Sequence, residues 1–490
     1  MATYYVDGVN GDDGGPGTTE RPFKTLRRAS TAVRPSDAVQ VRPAVYRETL
    51  IIRQPGAWIG EPGAILDGGY SHESALKSGD SWRNAVYRPP KDDETTVIRC
   101  QSDAVLIDGL DIRNSGDAGI SAGAVKGLMI RNCHISHTYD SAIRINGGSG
   151  WAEDIVIEGN VCVAASVKKF DPGRGGVAQG VSGIIKVGRA RRVKIVRNRA
   201  VGGHGEGINT GKDIFGFEVG WNFVANSAHK MSYSNHAQDG WIHDNVFVCT
   251  GDPAYLYHDG EAPAALACVD EETRGTFTPS NNIRWERNLV VDCGIPLQVK
   301  PKKADAALAF ERNTFVWGPL TRRGPVVENG RVTVRGNLFA VAKGGPMPSG
   351  KPAVVGANLW SVQPPAGWRG EGDVVADPQL VRPEMPQGTH DPFGLVADVA
   401  LDAAGFAPAG DGPAANNGKA VFGALEPAPP EDDTEPDGPP PAPDSAVILA
   451  ELQEVRARLS DAALVVWNAR EAVEAAGARV DELIGKLSID

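Results

Sequence analysis

The residues best suited to chemistry crowd one stretch: His204-Gly205-Glu206-Gly207-Ile208-Asn209, His229-Lys230, Ser232-Tyr233-Ser234-Asn235-His236, then Tyr255, Tyr257-His258-Asp259 and Glu261. Carboxylates, amines, imidazoles and phenols at this density suit acid–base work on a hydroxylated polymer. Elimination across a uronic-acid linkage needs a base for the C5 proton and a cation for the anion that forms. Lys186, Lys230 or Arg144 is the candidate base, given a neighbouring cation to lower its pKa. Hydrolysis instead needs two carboxylates, ~5–5.5 Å apart in retaining enzymes and ~6.5–9.5 Å apart in inverting ones. Glu206 with Asp259 or Glu261 is the candidate pair. Glu206, Lys186, Lys230 and Asp259 are therefore the catalytic candidates. Arg144, Asn146, Asn209, Tyr233, Tyr257 and His258 are the candidates for holding substrate; glycan binding alone would need only the tyrosines, the amides and Trp151 or Trp221 as stacking platforms. Plainer roles compete: an outward lysine or arginine is often a solvated charge, and Glu206 between two glycines can bond backbone amides at a corner. His204, His229 and His258 lack HxH or HExxH spacing, so no metal or other cofactor is expected.

A repeat positions these residues. An alternating apolar phrase ending in Asn recurs at Leu128–Asn132, Ile155–Asn160, Val193–Asn198, Phe217–Asn222, Trp241–Asn245, Ile283–Asn288, Leu308–Asn313 and Val332–Asn337. An earlier copy, Val105–Gly109, puts Gly where Asn stands elsewhere. The Asn-to-Asn intervals are 28, 38, 24, 23, 43, 25 and 24 residues, which predicts rungs of a strand solenoid with occasional insertions. Period-2 alternation excludes a helical-repeat array, and the spacing is too short for propeller blades. Asn and Gly tolerate the left-handed backbone of a sharp corner, and stacked Asn side chains predict a hydrogen-bonded ladder. The reading is an all-β, right-handed parallel β-helix over 39–340. Residues 1–38 supply a first strand and a short capping helix bearing Phe23, Leu26 and Val33, and 341–426 a closing region. First-rung strands are expected at Ala38–Val41, Thr49–Ile52 and Ala64–Gly68.

The opening Tyr5-Val6-Asp7-Gly8, Arg21-Pro22-Phe23-Lys24-Thr25-Leu26, Val39-Gln40-Val41-Arg42-Pro43 and Tyr46-Arg47-Glu48 resembles right-handed parallel β-helix proteins related to polysaccharide lyases and glycosidases. The stretch Asp377-Pro378, Ala414-Ala415 and Gly418–Glu426 resembles the closing segment of that superfamily. The resemblance covers roughly residues 4–426 and implies the fold; the same fold carries lyases, hydrolases, epimerases and adhesins. Calcium, as in pectate lyases, would draw on Asp239, Asp252 and Asp259, a thin donor set.

On this frame a second strand follows each Asn by about ten residues and points Arg144, Lys186, Asn209, Ser232, Leu256 and Gln298 outward. Asn146, Lys230, Ser234, His258 and Lys300 flank them. Rungs ~4.8 Å apart place this row beside a sugar chain. The segments Lys168–Gly180 and Asp259–Asn282 are expected as walls of the cleft.

Residues 427–443 hold eight prolines amid acids and read as an extended spacer. From Ile448 to Leu487 apolar residues recur at alternating steps of four and three, which predicts a coiled coil over 444–490 and a homo-oligomer, trimer favoured over dimer. Residues 426–444 carry seven acids and no base and 445–490 three more acids than bases, so of the net −11 only −1 belongs to 1–425. A near-neutral body argues against nucleic-acid binding. No apolar run is long enough to span a membrane, and no signal peptide opens the chain. Six cysteines without metal spacing are expected as buried free thiols. A β-helix with spacer and coil resembles bacteriophage tail spikes and minor tail proteins. The expected function is therefore a virion tail protein that binds and degrades a host-surface polysaccharide, with other tail proteins as further partners. The alternatives are a non-catalytic adhesin or structural tail component, and a secreted bacterial lyase without its signal peptide.

Overall fold

A computed structural model describes residues 2–71, 76–78, 86–87, 95–167, 182–252, 255–256, 262–271, 277–380, 384, 387–390, 396–406, 415–416 and 419–420. The expected spacer and coiled coil, Lys168–Gly180, Tyr257, His258, Asp259 and Glu261 lie outside the described residues.

The fold is a parallel β-helix. Among the described residues, one sheet of 22 strands and one of 13 are built from parallel pairs between successive rungs. Two long strands, Glu206–Gly220 and Lys230–His243, each pair with two rows, which makes the larger sheet two faces of one prism. The bend between those faces falls where register shifts after Gly211, with Lys212 and Asp213 in left-handed backbone. Parallel pairing continues past Ala340 through Val354–Gly356, Leu359–Trp360 and Val374–Val375. The first strands are Asp37–Val41, Leu50–Ile52 and Ala64–Asp67, and the helix Leu26–Ala32 buries Leu26 and Ala29. Thr25 caps this helix by accepting a hydrogen bond from the Arg28 amide at 3.0 Å.

The interior is a continuous apolar column of stacked Ile, Val and Leu, completed by rings such as Trp285 on Phe310, with centroids 4.4 Å apart. All six cysteines are free and buried.

The asparagine ladder is present, with one change of register. Asn160, Asn198, Asn222, Asn245, Asn288, Asn313, Asn337 and Asn358 are at most 1% exposed. Each donates its backbone amide and its Nδ2 to the next Oδ1, as Asn222 does to Asn245, both at 2.9 Å. Its Nδ2 also reaches a carbonyl of the preceding rung, here Ile195 at 2.8 Å. Asp373 ends the ladder by accepting from the Asn358 amide at 2.9 Å. The left-handed corner is not the ladder residue but the one before it: Gly159, Arg197, Trp221, Asp244, Arg287, Arg312, Gly336 and Ala357 all have positive φ. Asn132 is therefore a corner residue, not a ladder member. Its φ is 52°, and Cys133 takes the ladder position, its amide donating to Asn160 Oδ1 at 3.0 Å.

Candidate functional site

On the face that begins each long strand, residues do not simply alternate. Ile184, Met231 and Ala265 join the core, and so do Ile185, Ile208 and Leu266. Two consecutive residues thus point inward, and outward positions stand three apart: Gly183 and Lys186, Glu206 and Asn209, Lys230 and Tyr233, Ala264 and Ala267. Register then sets one outward row as Arg144, Lys186, Asn209, Tyr233, Ala267 and Gln298.

Three expected outward positions, Ser232, Ser234 and Leu256, are corrected by this register. Ser232 pairs with Ile208 and Leu266 and faces the interior, with Tyr233 taking its place. Ser234 is also interior, 3.1 Å from the Thr210 hydroxyl. The rung strand expected over Ala254–His258 is instead Ala264–Val269, so Leu256 leaves the row and Ala267 enters. Tyr255 is buried in a cluster that includes Val248 and Val291 of the 13-stranded sheet, which forms the third face. The segment expected as a wall from Asp259 to Asn282 thus holds a full rung strand. The aromatic run carries the pattern of a strand, whereas the small-residue run Ala264-Ala265-Leu266-Ala267 packs inside and out at once.

Glu206, Asn209, Lys230 and Tyr233 come together. The Glu206 carboxylate is 2% exposed; it meets His229 Nδ1 at 3.2 Å and accepts from Asn209 Nδ2 at 3.3 Å. Lys230 Nζ lies 3.9 Å from the centroid of the Tyr233 ring and 3.5 Å from Glu271 Oε1. Glu271 Oε2 accepts from Asn235 Nδ2 at 3.5 Å, and the Tyr233 hydroxyl donates to the Val269 carbonyl at 3.2 Å. Burial pushes the Lys230 ammonium below its ordinary pKa, opposed by the Glu206 and Glu271 charges. Burial raises the Tyr233 phenol, so it stays protonated. Burial also works against the Glu271 carboxylate, yet Tyr233 and Lys230 hold its pKa below the usual range.

Lys186 is the half-buried neighbour of Asn209 in the row. Arg144 lies one rung further and is clamped by Asp117 through two hydrogen bonds of 2.7 and 2.6 Å. That clamp raises the Arg144 pKa against the effect of burial, so the guanidinium is a fixed cation and not a base. Asn146 sits exposed at the end of its strand, its Oδ1 accepting from the Gly148 amide at 3.1 Å. Asp239 lies on the second face and Asp252 follows a strand of the third, so the described part of the calcium set does not share a face. Among the described residues no group of three His, Cys, Asp or Glu side chains is placed to hold a metal.

Glu271 is the residue that spacing did not reveal. It follows Ala264–Val269 by two positions and turns back over the row. Its anchor is Asp270, which accepts from the His236 amide at 2.8 Å and the Ser280 hydroxyl at 2.6 Å. The signal was present as an Asp-Glu pair closing an apolar run, legible only once that run is recognised as a rung.

The arrangement defines a parallel β-helix with a buried acid–base cluster on its outer face. No family model matches the chain. The uncharacterized protein YwoF of Bacillus subtilis (strain 168) is 32% identical over 157 residues, 32% of this chain and 28% of that protein's length. Solved structures similar to this chain include pectate lyase Pel9A, at 12% identity and a TM-score of 0.46, covering 86% of this chain and 96% of that one. A rhamnogalacturonan lyase matches at 15% identity and a TM-score of 0.43, covering 82% and 96%. The Dettilon tailspike protein gp208 matches at 10% identity and a TM-score of 0.43, covering 77% and 69%. No helix among the described residues is long and apolar enough to cross a membrane.

Proposed function

We propose that this protein is a tail-associated phage protein whose β-helix binds a host-surface polysaccharide and cleaves it by β-elimination at a uronic acid. One observation carries the chemistry: Lys230 is buried and packed on Tyr233 beside the buried Glu206–His229 pair, and that burial pushes its ammonium below the ordinary pKa. Lys230 as the free amine takes the C5 proton. The electron pair forms the C4–C5 double bond as the C4–oxygen bond breaks, and His229, oriented by Glu206, gives its proton to the leaving oxygen. Lys186 and Asn209, adjacent in the row, face the uronate carboxylate and stabilise the charge that develops on it. The phage assignment is supported by the Pro- and acid-rich spacer and the heptad pattern in the sequence, and it places self-association in 444–490.

The test is incubation with purified host-surface polysaccharide, following ultraviolet absorbance of the unsaturated product together with reducing ends. Growth of both is expected. Reducing ends alone would move the site to hydrolysis, and retention without either would leave a binding protein. Sedimentation of the full chain and of a chain lacking 444–490 is expected to show an oligomer and a monomer; a monomer in both removes the coiled coil.

A further inference from the structure

The same two long strands carry, on the second face, a patch that this chemistry does not use. Trp241 points outward between Glu218 and Arg284 of neighbouring rungs, and Trp221 follows the end of Glu206–Gly220. Each indole is 38% exposed, and no other tryptophan among the described residues is exposed. Between them lies His243, whose side chain is fully buried. Its ring stacks on Trp241 at 3.6 Å between centroids and meets Trp221 edge-on at 4.5 Å. Asp244 at 2.7 Å and Glu218 at 3.4 Å hold the two imidazole nitrogens. Gly220 makes room, since a Cβ there would stand 2.7 Å from the ring. The imidazole is thus a rigid spacer fixing two indoles on adjacent rungs.

Trp221 has a φ of 54°, at the corner where the adjacent rungs place Arg197 and Asp244. A bulky aromatic is strained there, and folding gains little from an indole left more than a third in water. The apolar island is also small. Its row neighbours are Lys194, Glu218 and Arg284, whereas a stable protein interface needs about 800 Å² per partner around an apolar centre. Two exposed indoles flanked by charged side chains of both signs, with the Arg197 and Arg287 guanidiniums 5.4 and 5.9 Å from the Trp221 and Trp241 ring centroids, fit a pyranose, which offers C–H faces and hydroxyl edges.

We propose that Trp221 and Trp241 form a second glycan-binding platform that stacks pyranose rings of the polymer away from the acid–base cluster. The proposal rests on the polysaccharide reading above, and its test separates the two. The full chain, Trp221→Ala/Trp241→Ala and Trp221→Phe/Trp241→Phe are run through native gels cast with host-surface polysaccharide, alginate, polygalacturonate or xylan, alongside turnover on short oligosaccharides. Melting temperatures check that each variant is folded. The alanine pair is expected to weaken retardation about tenfold and the phenylalanine pair less, with oligosaccharide turnover unchanged. Equal retardation of wild type and alanine pair overturns the platform, as does turnover by a wild type that no gel retards. Lost retardation in a chain that turns over nothing keeps the platform and overturns the lyase. A changed sedimentation coefficient with unchanged retardation overturns it in favour of a contact between copies.

Discussion

The asparagine ladder and the Glu206 cluster both bury polar groups along the same rungs, yet they differ in kind. In the ladder each residue between Asn160 and Asn358 has an identical neighbour above and below, so one geometry satisfies each amide and carbonyl in turn. In the cluster each rung supplies something different: Gly183, then Glu206, then Lys230, then Ala264. No repeat can satisfy such a set, and burial shows instead as shifted proton affinities. A solenoid absorbs buried polarity when it is periodic and concentrates reactivity where the period is broken.

That contrast is sharpest in substitutions that keep shape and remove charge. Glu206→Gln and Lys230→Met are each expected to lower turnover at least about a hundredfold, equivalent to about 2.7 kcal/mol, with melting shifted by little. Unchanged rates in steady-state assays would break the comparison from the cluster's side. Asn245→Leu removes the Oδ1 that receives Asn222 and the Nδ2 that reaches Val219 at 2.8 Å. It is expected to cost about 2–4 kcal/mol in urea unfolding while sparing turnover per folded molecule. A loss below about 0.5 kcal/mol would mean that the ladder is not a stabilising element.

The pH dependence separates the two regions further. With Lys230 as base, kcat/KM is expected to rise with pH through a value below the ordinary lysine pKa, and Lys230→Met should flatten that rise. Stability has its own titration on the second face. Burial would lower the His243 pKa, but Asp244 and Glu218 raise it overall. Its contribution is full below the unfolded imidazole pKa and is lost as pH rises through the folded value. Wild type should therefore lose its stability advantage over His243→Gln as pH increases, measured by thermal unfolding. The smallest effect is expected from Gly220→Ala, about 1–2 kcal/mol, because the new methyl meets the His243 ring.

The sequence made the rungs legible because a solenoid writes its fold locally: alternation and a recurring Asn are visible within any one copy. It also made Glu206, Lys230 and Asn209 visible as candidates. Tyr233 is visible too, but strict alternation gives its outward row to Ser232, because it does not allow for two inward residues in succession. Glu271 was missed because finding it requires knowing that Ala264–Val269, with few large apolar side chains, is a rung.

Local pattern determined that this chain coils into stacked strands with polar groups on the outside, since backbone pairing and side-chain parity act over a few residues. Which outward groups touch was decided only in three dimensions. Contacts between Glu206, His229, Lys230, Tyr233 and Glu271 depend on register between rungs, and register is set by packing in the shared core, which a single strand does not contain.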